Sequence, residues 1–206
     1  MVSESDVVYH KVFPTLITQA TLDLDVERMA SDILKVSETL DSNYSGGYTS
    51  YREREAIHGK FRGVYGIDEV FQSIRKLYDC CNDEQHFIPP DPPKVYGWVN
   101  VMTKGGHHRK HNHYKHSYGS MVYSGTFYIR WLPGMSQIKF FSPLETLKEV
   151  EPDVFPPGDH SVYNIPSFTV DTPPNTLLMW PSWLNHEVPE MLVDGPRITL
   201  SYNVYY

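Results

Sequence analysis

Ten histidines occur in 206 residues, and five of them, His107, His108, His111, His113 and His116, fall within ten positions. Imidazole is the commonest metal ligand in proteins, and it suits iron, copper and zinc. If the chain around His111 is extended, residues two apart share a face at a Cα separation of about 7 Å. His111 and His113 can then converge on one ion. A third ligand must come from elsewhere, and His186 is the candidate, the one histidine among residues 161–206. It follows Thr176-Leu177-Leu178-Met179-Trp180-Pro181-Ser182-Trp183, which reads as a buried strand entering a short connection. By itself the cluster also fits a polar loop that binds metal opportunistically.

Arg197, eleven residues after His186, opens the run Arg197-Ile198-Thr199-Leu200-Ser201-Tyr202-Asn203-Val204. In a strand this puts Arg197, Thr199, Ser201 and Asn203 on one face, with Ile198, Leu200, Tyr202 and Val204 on the other. The same alternation places Ser124, Thr126 and Tyr128 opposite Gly125, Phe127 and Ile129. Two polar faces closed into a barrel would line a ligand cavity holding an arginine, a phenol and several hydroxyls near the metal. A guanidinium fork matches the two oxygens of a carboxylate, so a bound carboxylate is the expectation for Arg197.

The elements that must position these residues divide along the chain. Residues 11–19 read as an opening extended segment. Apolar residues at helical spacing predict one helix over Asp25–Leu40 and a second from about Asp68 to Cys81. Ser42–Ser50, rich in glycine, is expected to be a loop, and Ile88–Pro93, with four prolines, forbids a helix or central strand. From Val95 onward the pattern is of short strands, expected at 95–103, 122–132, 137–141, 161–170, 176–180 and 197–205. Without a linker or repeat, the simplest organisation is one domain over 1–206. Residues 1–94 give mostly helical support, and 95–206 a β-barrel core.

Composition narrows the function. A formal charge of -7 disfavours a protein built to grip phosphate backbones, so nucleic acid is a poor partner. No stretch resembles a signal sequence or a membrane span, and a cytoplasmic protein, in the host cytoplasm if phage-encoded, is expected. The two cysteines, Cys80 and Cys81, are adjacent, which fits reduced thiols and excludes a zinc site built on sulfur. The aromatic content, with 15 Tyr, 9 Phe and 4 Trp, is that of a folded chain.

Taken together, these residues resemble the 2-oxoglutarate and Fe(II)-dependent oxygenases, in the small branch related to prolyl hydroxylases found in phages and bacteria. The resemblance runs nearly the length of the chain. Phe13-Pro14-Thr15, then Ser42-Asn43 with Gly46-Gly47 and Ser50, then Trp98-Val99-Asn100 with Gly105, are similar to its earlier motifs. His111-Asn112-His113, Ser124-Gly125 with Tyr128, and Trp180-Pro181-Ser182-Trp183-Leu184 with His186, Val188, Arg197, Thr199 and Asn203 resemble its site signature.

The resemblance implies an α+β, mainly β fold, a double-stranded β-helix (jelly-roll) barrel with N-terminal supporting helices. It implies Fe(II), 2-oxoglutarate and O2 as cofactor and cosubstrates, with ascorbate in support. His111 and His186 would bind iron, and Arg197, with Tyr128 and Thr199, the distal carboxylate of 2-oxoglutarate. Better-known relatives place Asp or Glu where His113 stands, and no acidic residue lies between Asp91 and Glu145. Fe(II) with three neutral imidazoles and dianionic 2-oxoglutarate is neutral overall, so a three-histidine site is admissible beside a two-histidine site completed by water. Asp159 and Asp171, in proline-rich connections, are poorer ligands. His107, His108 and His116 are expected at the rim, and Lys115–Tyr123 forms a longer insertion than this branch carries.

The implied reaction is hydroxylation of a substrate C–H with release of succinate and carbon dioxide. The prime substrate, a small molecule, peptide or protein, is not written in the sequence, and peptidyl proline is suggested by fold relationship alone. Two rivals stand beside this reading. A cupin-like metalloenzyme would not need Arg197, and a non-catalytic jelly-roll binding or virion module would tolerate loss of His111.

Overall fold

The first helix begins where the sequence offers a cap. Asp25 accepts a hydrogen bond from the Arg28 backbone N–H at 3.0 Å, satisfying one amide that the first turn leaves open, and α1 runs Val26–Ser37. Met29, Ala30 and Ile33 form its buried stripe. The second helix, α2 (Ile67–Glu84), follows Gly66 in a left-handed conformation at φ 78 and buries Val70, Phe71, Ile74, Leu77, Tyr78 and Cys81. Both helices lie close to their expected bounds. The chain was analysed as a computed structural model that describes residues 14–38, 46–51, 60–86, 88, 92–113, 121–144 and 165–205.

Ten strands occur among the described residues, in two antiparallel sheets. They are β1 (Thr18–Thr21), β2 (Gly47–Thr49), β3 (Lys94–Met102), β4 (His108–His111), β5 (Met121–Arg130), β6 (Lys139–Phe141), β7 (Ser167–Thr169), β8 (Thr176–Pro181), β9 (His186–Val188) and β10 (Arg197–Tyr205). The six-stranded sheet has the order β1-β8-β5-β10-β3-β2 and the four-stranded sheet the order β4-β9-β6-β7. The expected strand over 161–170 is seen as β7, and residues 161–164 lie outside the described residues.

One expectation is corrected and two are refined. Ser42–Ser50 is not all loop, because Gly47–Thr49 pairs with Met102–Asn100 of β3 and extends the larger sheet. The strand before His186 is β8 and leads into a short connection as expected, after which His186 opens the strand β9, which the sequence did not suggest, and pairs with β4 and β6. The first 94 residues supply edge strands as well as helices, since β1 pairs with β8.

The alternation on β10 organises the interior. Ile198, Leu200, Tyr202 and Val204 pack with Phe127, Ile129, Leu177 and Met179 against the apolar faces of α1 and α2, forming the main core. The helices therefore cover one face of the larger sheet and free its other face for the polar series. A smaller cluster of Tyr128, Phe140, Leu178, Trp180 and Leu184 joins residues of the two sheets. Near its end β10 remains buried, with Tyr202 and Val204 fully enclosed.

At Gly125 the packing permits no side chain. A Cβ there would collide with the Tyr202 ring and the Leu178 carbonyl. Tyr202 of β10 uses that gap to cross β5 and donate from its hydroxyl to the Leu178 O of β8 at 2.7 Å.

Candidate active site

His111 and His186 stand directly opposite each other in the β4–β9 pairing, and their ring centroids are 4.4 Å apart. Two residues beyond His111, the His113 backbone N–H donates to Ser182 O at 2.9 Å, which fixes the end of β4 beside the chain leaving β8. His113 then stacks on His111 with centroids 5.1 Å apart and lies 5.1 Å from His186. One nitrogen from each of the three rings falls within 4.8 Å of the others.

The hydrogen bonds assign the ring nitrogens. His111 Nδ1–H donates to Arg109 O at 2.6 Å, His186 Nδ1–H to Leu184 O at 2.9 Å, and His113 Nδ1–H to Asn203 Oδ1 at 2.6 Å. Ser124 Oγ also donates to Asn203 Oδ1, at 2.9 Å, orienting that amide with its oxygen toward the histidine. With every Nδ1 engaged on an oxygen, three Nε2 lone pairs are left for a common acceptor. His111 Nε2 and His113 Nε2 are 3.1 Å apart. Adjacent nitrogens on a first-row metal bound at about 2.1 Å stand about 3 Å apart, so this spacing suits one ion.

Electrostatics favour the same state. Burial pushes the pKa of His186 down to about 3, with help from His111 and against the Leu184 hydrogen bond. At neutral pH the ring is an unprotonated base, the form that ligates a metal. Trp180 packs at 5.0 Å from His186 and Trp98 at 6.1 Å from His113, completing an aromatic surround.

Arg197, Thr199 and Tyr128 line the same cavity, which measures about 550 Å³, and each is at least 98% buried. The Arg197 guanidinium carbon lies 5.0 Å from the centre of the Tyr128 ring. Arg197 Nε and Tyr128 Oη are buried without a hydrogen-bond partner among the described residues. Leaving such groups unpaired costs roughly 1–3 kcal/mol each, more for a charged one, which a bound acceptor would relieve.

All six expected site residues thus meet in one cavity. His107 and His108 also line the cavity and are half-buried, and an irregularity in β4 between His108 and His111 offsets the pairing by one residue. Burial, with Arg197 and then His111 in support, pushes His108 down to about 4. Asp171 stands away from the site and accepts a hydrogen bond from Gln137 Nε2 at 3.2 Å. His116, Asp159 and most of the Lys115–Tyr123 insertion lie outside the described residues.

Sequence reasoning missed the hold of Asn203 and Ser124 on His113. The signal available was their place on the polar faces of β10 and β5. Thr49, Trp98 and Asn100 were missed as lining residues. Thr49 Oγ1 donates to Asn100 Oδ1 at 2.7 Å, and Asn100 Nδ2 donates to Ser201 Oγ at 2.9 Å, so the polar face of β10 is continued onto β3 and β2.

Residues 96–203 match the family described as "Putative 2OG-Fe(II) oxygenase". The chain belongs to the 2OG-Fe(II) oxygenases. As a member of that family it is a 2-oxoglutarate-dependent oxygenase that uses Fe(II) and 2-oxoglutarate. Solved structures share its fold at low identity. A Pseudomonas putida prolyl-4-hydroxylase is 12% identical with a TM-score of 0.57, covering 93% of this chain and 88% of that one. A Trichoplax adhaerens prolyl hydroxylase, solved with a fragment of the hypoxia inducible factor oxygen degradation domain, is 13% identical with a TM-score of 0.62, covering 92% and 83%. HygX from Streptomyces hygroscopicus, solved with nickel and 2-oxoglutarate, is 13% identical with a TM-score of 0.59, covering 93% and 83%. A search of the curated proteins found no match. Among the described residues, no helix is long and apolar enough to cross a membrane.

Proposed function

We propose that this 2OG-Fe(II) oxygenase holds its iron on His111, His113 and His186, and hydroxylates a C–H bond of its substrate with release of succinate and carbon dioxide. The observation that carries this assignment is the common commitment of the three Nδ1 atoms to oxygen acceptors, which leaves three Nε2 atoms facing one point. In this reading the site has no carboxylate ligand, and His113 occupies the position where better-known relatives carry Asp or Glu. The two sheets are then the two walls of a double-stranded β-helix, formed by one domain.

Iron held by these histidines, with 2-oxoglutarate and O2, would supply the oxidative chemistry. The protein's own groups bind and orient. Arg197 pairs with the distal carboxylate through its planar fork, and Tyr128 and Thr199 add hydroxyl donors from the facing strand positions, Thr199 being paired with Tyr128 across β10 and β5. Asn203 and Ser124 hold the His113 ring in one tautomer, as the Arg109 and Leu184 carbonyls do for His111 and His186. Trp180, Phe140 and Ile138 exclude water behind His186. Peptidyl proline is the substrate suggested by the fold relationship.

The test is reconstitution of untagged protein with Fe(II) under anaerobic conditions, followed by titration with 2-oxoglutarate while the visible absorption of the complex is recorded. The expected band appears in wild type, is lost in His186→Ala and His113→Ala, and requires much more 2-oxoglutarate in Arg197→Ala. A band that survives His113→Ala would leave a two-histidine site. Iron binding without any band would favour the cupin-like alternative.

A further inference from the structure

The cavity differs in charge from the rest of the molecule. The chain carries 25 Asp and Glu against 18 Lys and Arg, yet among the described residues no Asp or Glu lines the cavity, whereas two arginines do. Arg197 is buried, and the reading above commits it to the cosubstrate. Arg109 is solvent-exposed, and its guanidinium has no ion pair or hydrogen bond among the described residues. Two anion sites at different depths are more than one 2-oxoglutarate requires.

Arg109 faces the cavity for a structural reason. In a regular strand, neighbours alternate sides, and with His108 and His111 both directed inward no alternation could hold. The irregularity between them offsets β4 against β9 by one residue, so that His108, Arg109 and His111 all line the cavity. The position of Arg109 is fixed further by its carbonyl, which accepts the His111 Nδ1–H bond at 2.6 Å. The Arg109 backbone is therefore anchored two residues from a histidine of the triad.

An aromatic wall also leads from the triad to the open end. Trp98 packs 6.1 Å from His113, and Tyr51 meets Trp98 edge-on at 4.8 Å. Tyr51 is 50% exposed, and the Tyr96 hydroxyl donates to its carbonyl at 3.1 Å, holding the segment that follows β2. The start of β2 touches the start of β4, where Gly46 packs on the Gly106 backbone. Tyr51, just after β2, and Arg109, on β4, are exposed residues of the cavity wall on these two sheet edges.

We infer that the prime substrate carries a carboxylate, which Arg109 binds at the open end of the cavity while the substrate's apolar part lies along Tyr51 and Trp98. This deepens the assignment above and rests on it. An exposed guanidinium beside low-dielectric walls attracts an anion and fixes its orientation through paired N–H donors, and aromatic faces add contact area without directional demands. The carboxylate belongs either to a small acid or to an acidic residue of a peptide.

The experiment uses the full chain loaded anaerobically with Fe(II) and 2-oxoglutarate, with binding read from the broadening of probe ring-proton NMR signals by the iron. N-acetyl-L-proline is compared with N-acetyl-L-prolinamide, and the capped peptide Gly-Pro-Asp with Gly-Pro-Asn; proline is chosen because prolyl hydroxylases share the fold. In at least one pair the acid should bind about tenfold more tightly than the amide, as a charge-assisted hydrogen bond implies. The preferred pair tells a small acid from a peptide. Arg109→Gln should reduce the ratio to near one, and Arg109→Lys should keep part of it, with the 2-oxoglutarate titration unchanged in both. Equal binding of acid and amide, or no binding by either acid, overturns the inference. So does a loss of 2-oxoglutarate affinity in Arg109→Gln, which would give that arginine to the cosubstrate. Absence of the visible band in wild type would instead overturn the iron and 2-oxoglutarate assignment.

Discussion

Asn203 Oδ1 accepts a 2.6 Å hydrogen bond from His113 Nδ1, linking β10 to one of the three clustered histidines. The bond sets which nitrogen of the ring faces the other two histidines. Replacing Asn203 by Ala removes the acceptor and leaves the ring free to change tautomer. Partners of this kind tune metal affinity by roughly 10- to 100-fold. Iron titration of Asn203→Ala should show a loss in that range with the fold unchanged by circular dichroism, whereas wild-type affinity would mean that His113 is not a ligand.

Arg197 has no carboxylate partner among the described residues and a buried Nε without an acceptor. Arg197→Gln should therefore raise the 2-oxoglutarate concentration needed for half saturation by roughly 10- to 150-fold, the range for a hydrogen bond to a charged group. Iron affinity in the absence of 2-oxoglutarate should not fall. An iron titration and a 2-oxoglutarate titration on the same variant separate the two effects.

Gly125→Ala puts a methyl group where the Tyr202 ring crosses to Leu178 O. Neither obstacle can withdraw, since one is backbone and the other a fully buried ring. Thermal unfolding should show a loss of about 1–3 kcal/mol or more, as for an overpacked core. Tyr202→Phe keeps the ring and deletes one hydrogen bond, and should cost about 1 kcal/mol.

The adjacent cysteines should differ in reactivity. Cys80 is exposed, while Cys81 is buried between Thr18 and Met179, and burial raises its thiol pKa. A thiol-reactive reagent at pH 8 should label Cys80 quickly and Cys81 on the timescale of unfolding. Cys80→Ser should abolish the fast phase, and mass spectrometry of native protein should then show no rapid adduct.

Much of this architecture could be read from local patterns. The period of two on β10 correctly separated Arg197, Thr199, Ser201 and Asn203 from Ile198, Leu200, Tyr202 and Val204, because a half-buried strand writes its environment into alternate residues. Helical spacing likewise located α1 and α2. The three- and four-residue strands β2, β4 and β9 were less visible, since so short a run holds no period and exists only through pairing with distant segments. His186 was recognised as a candidate, but its place opposite His111 depends on a pairing across 75 residues of chain. The irregularity in β4 between His108 and His111 was not visible for a related reason, because it breaks the alternation used to assign faces.

Among the described residues β4 lies at the edge of its sheet with β9 as its strand partner, and yet it carries His111 and leads into His113. A strand with one neighbour is the first to fray, and here it supplies two of the three nitrogens that would surround an ion. Metal occupancy would then act as a clasp, its binding energy adding to the stability of that margin of the sheet more than to the helix-covered core. The iron-free enzyme would breathe at β4 while α1, α2 and β10 stay closed. Backbone amide exchange of His108–His111 would thus report on iron loading, coupling the readiness of the catalyst to the order of its own entrance.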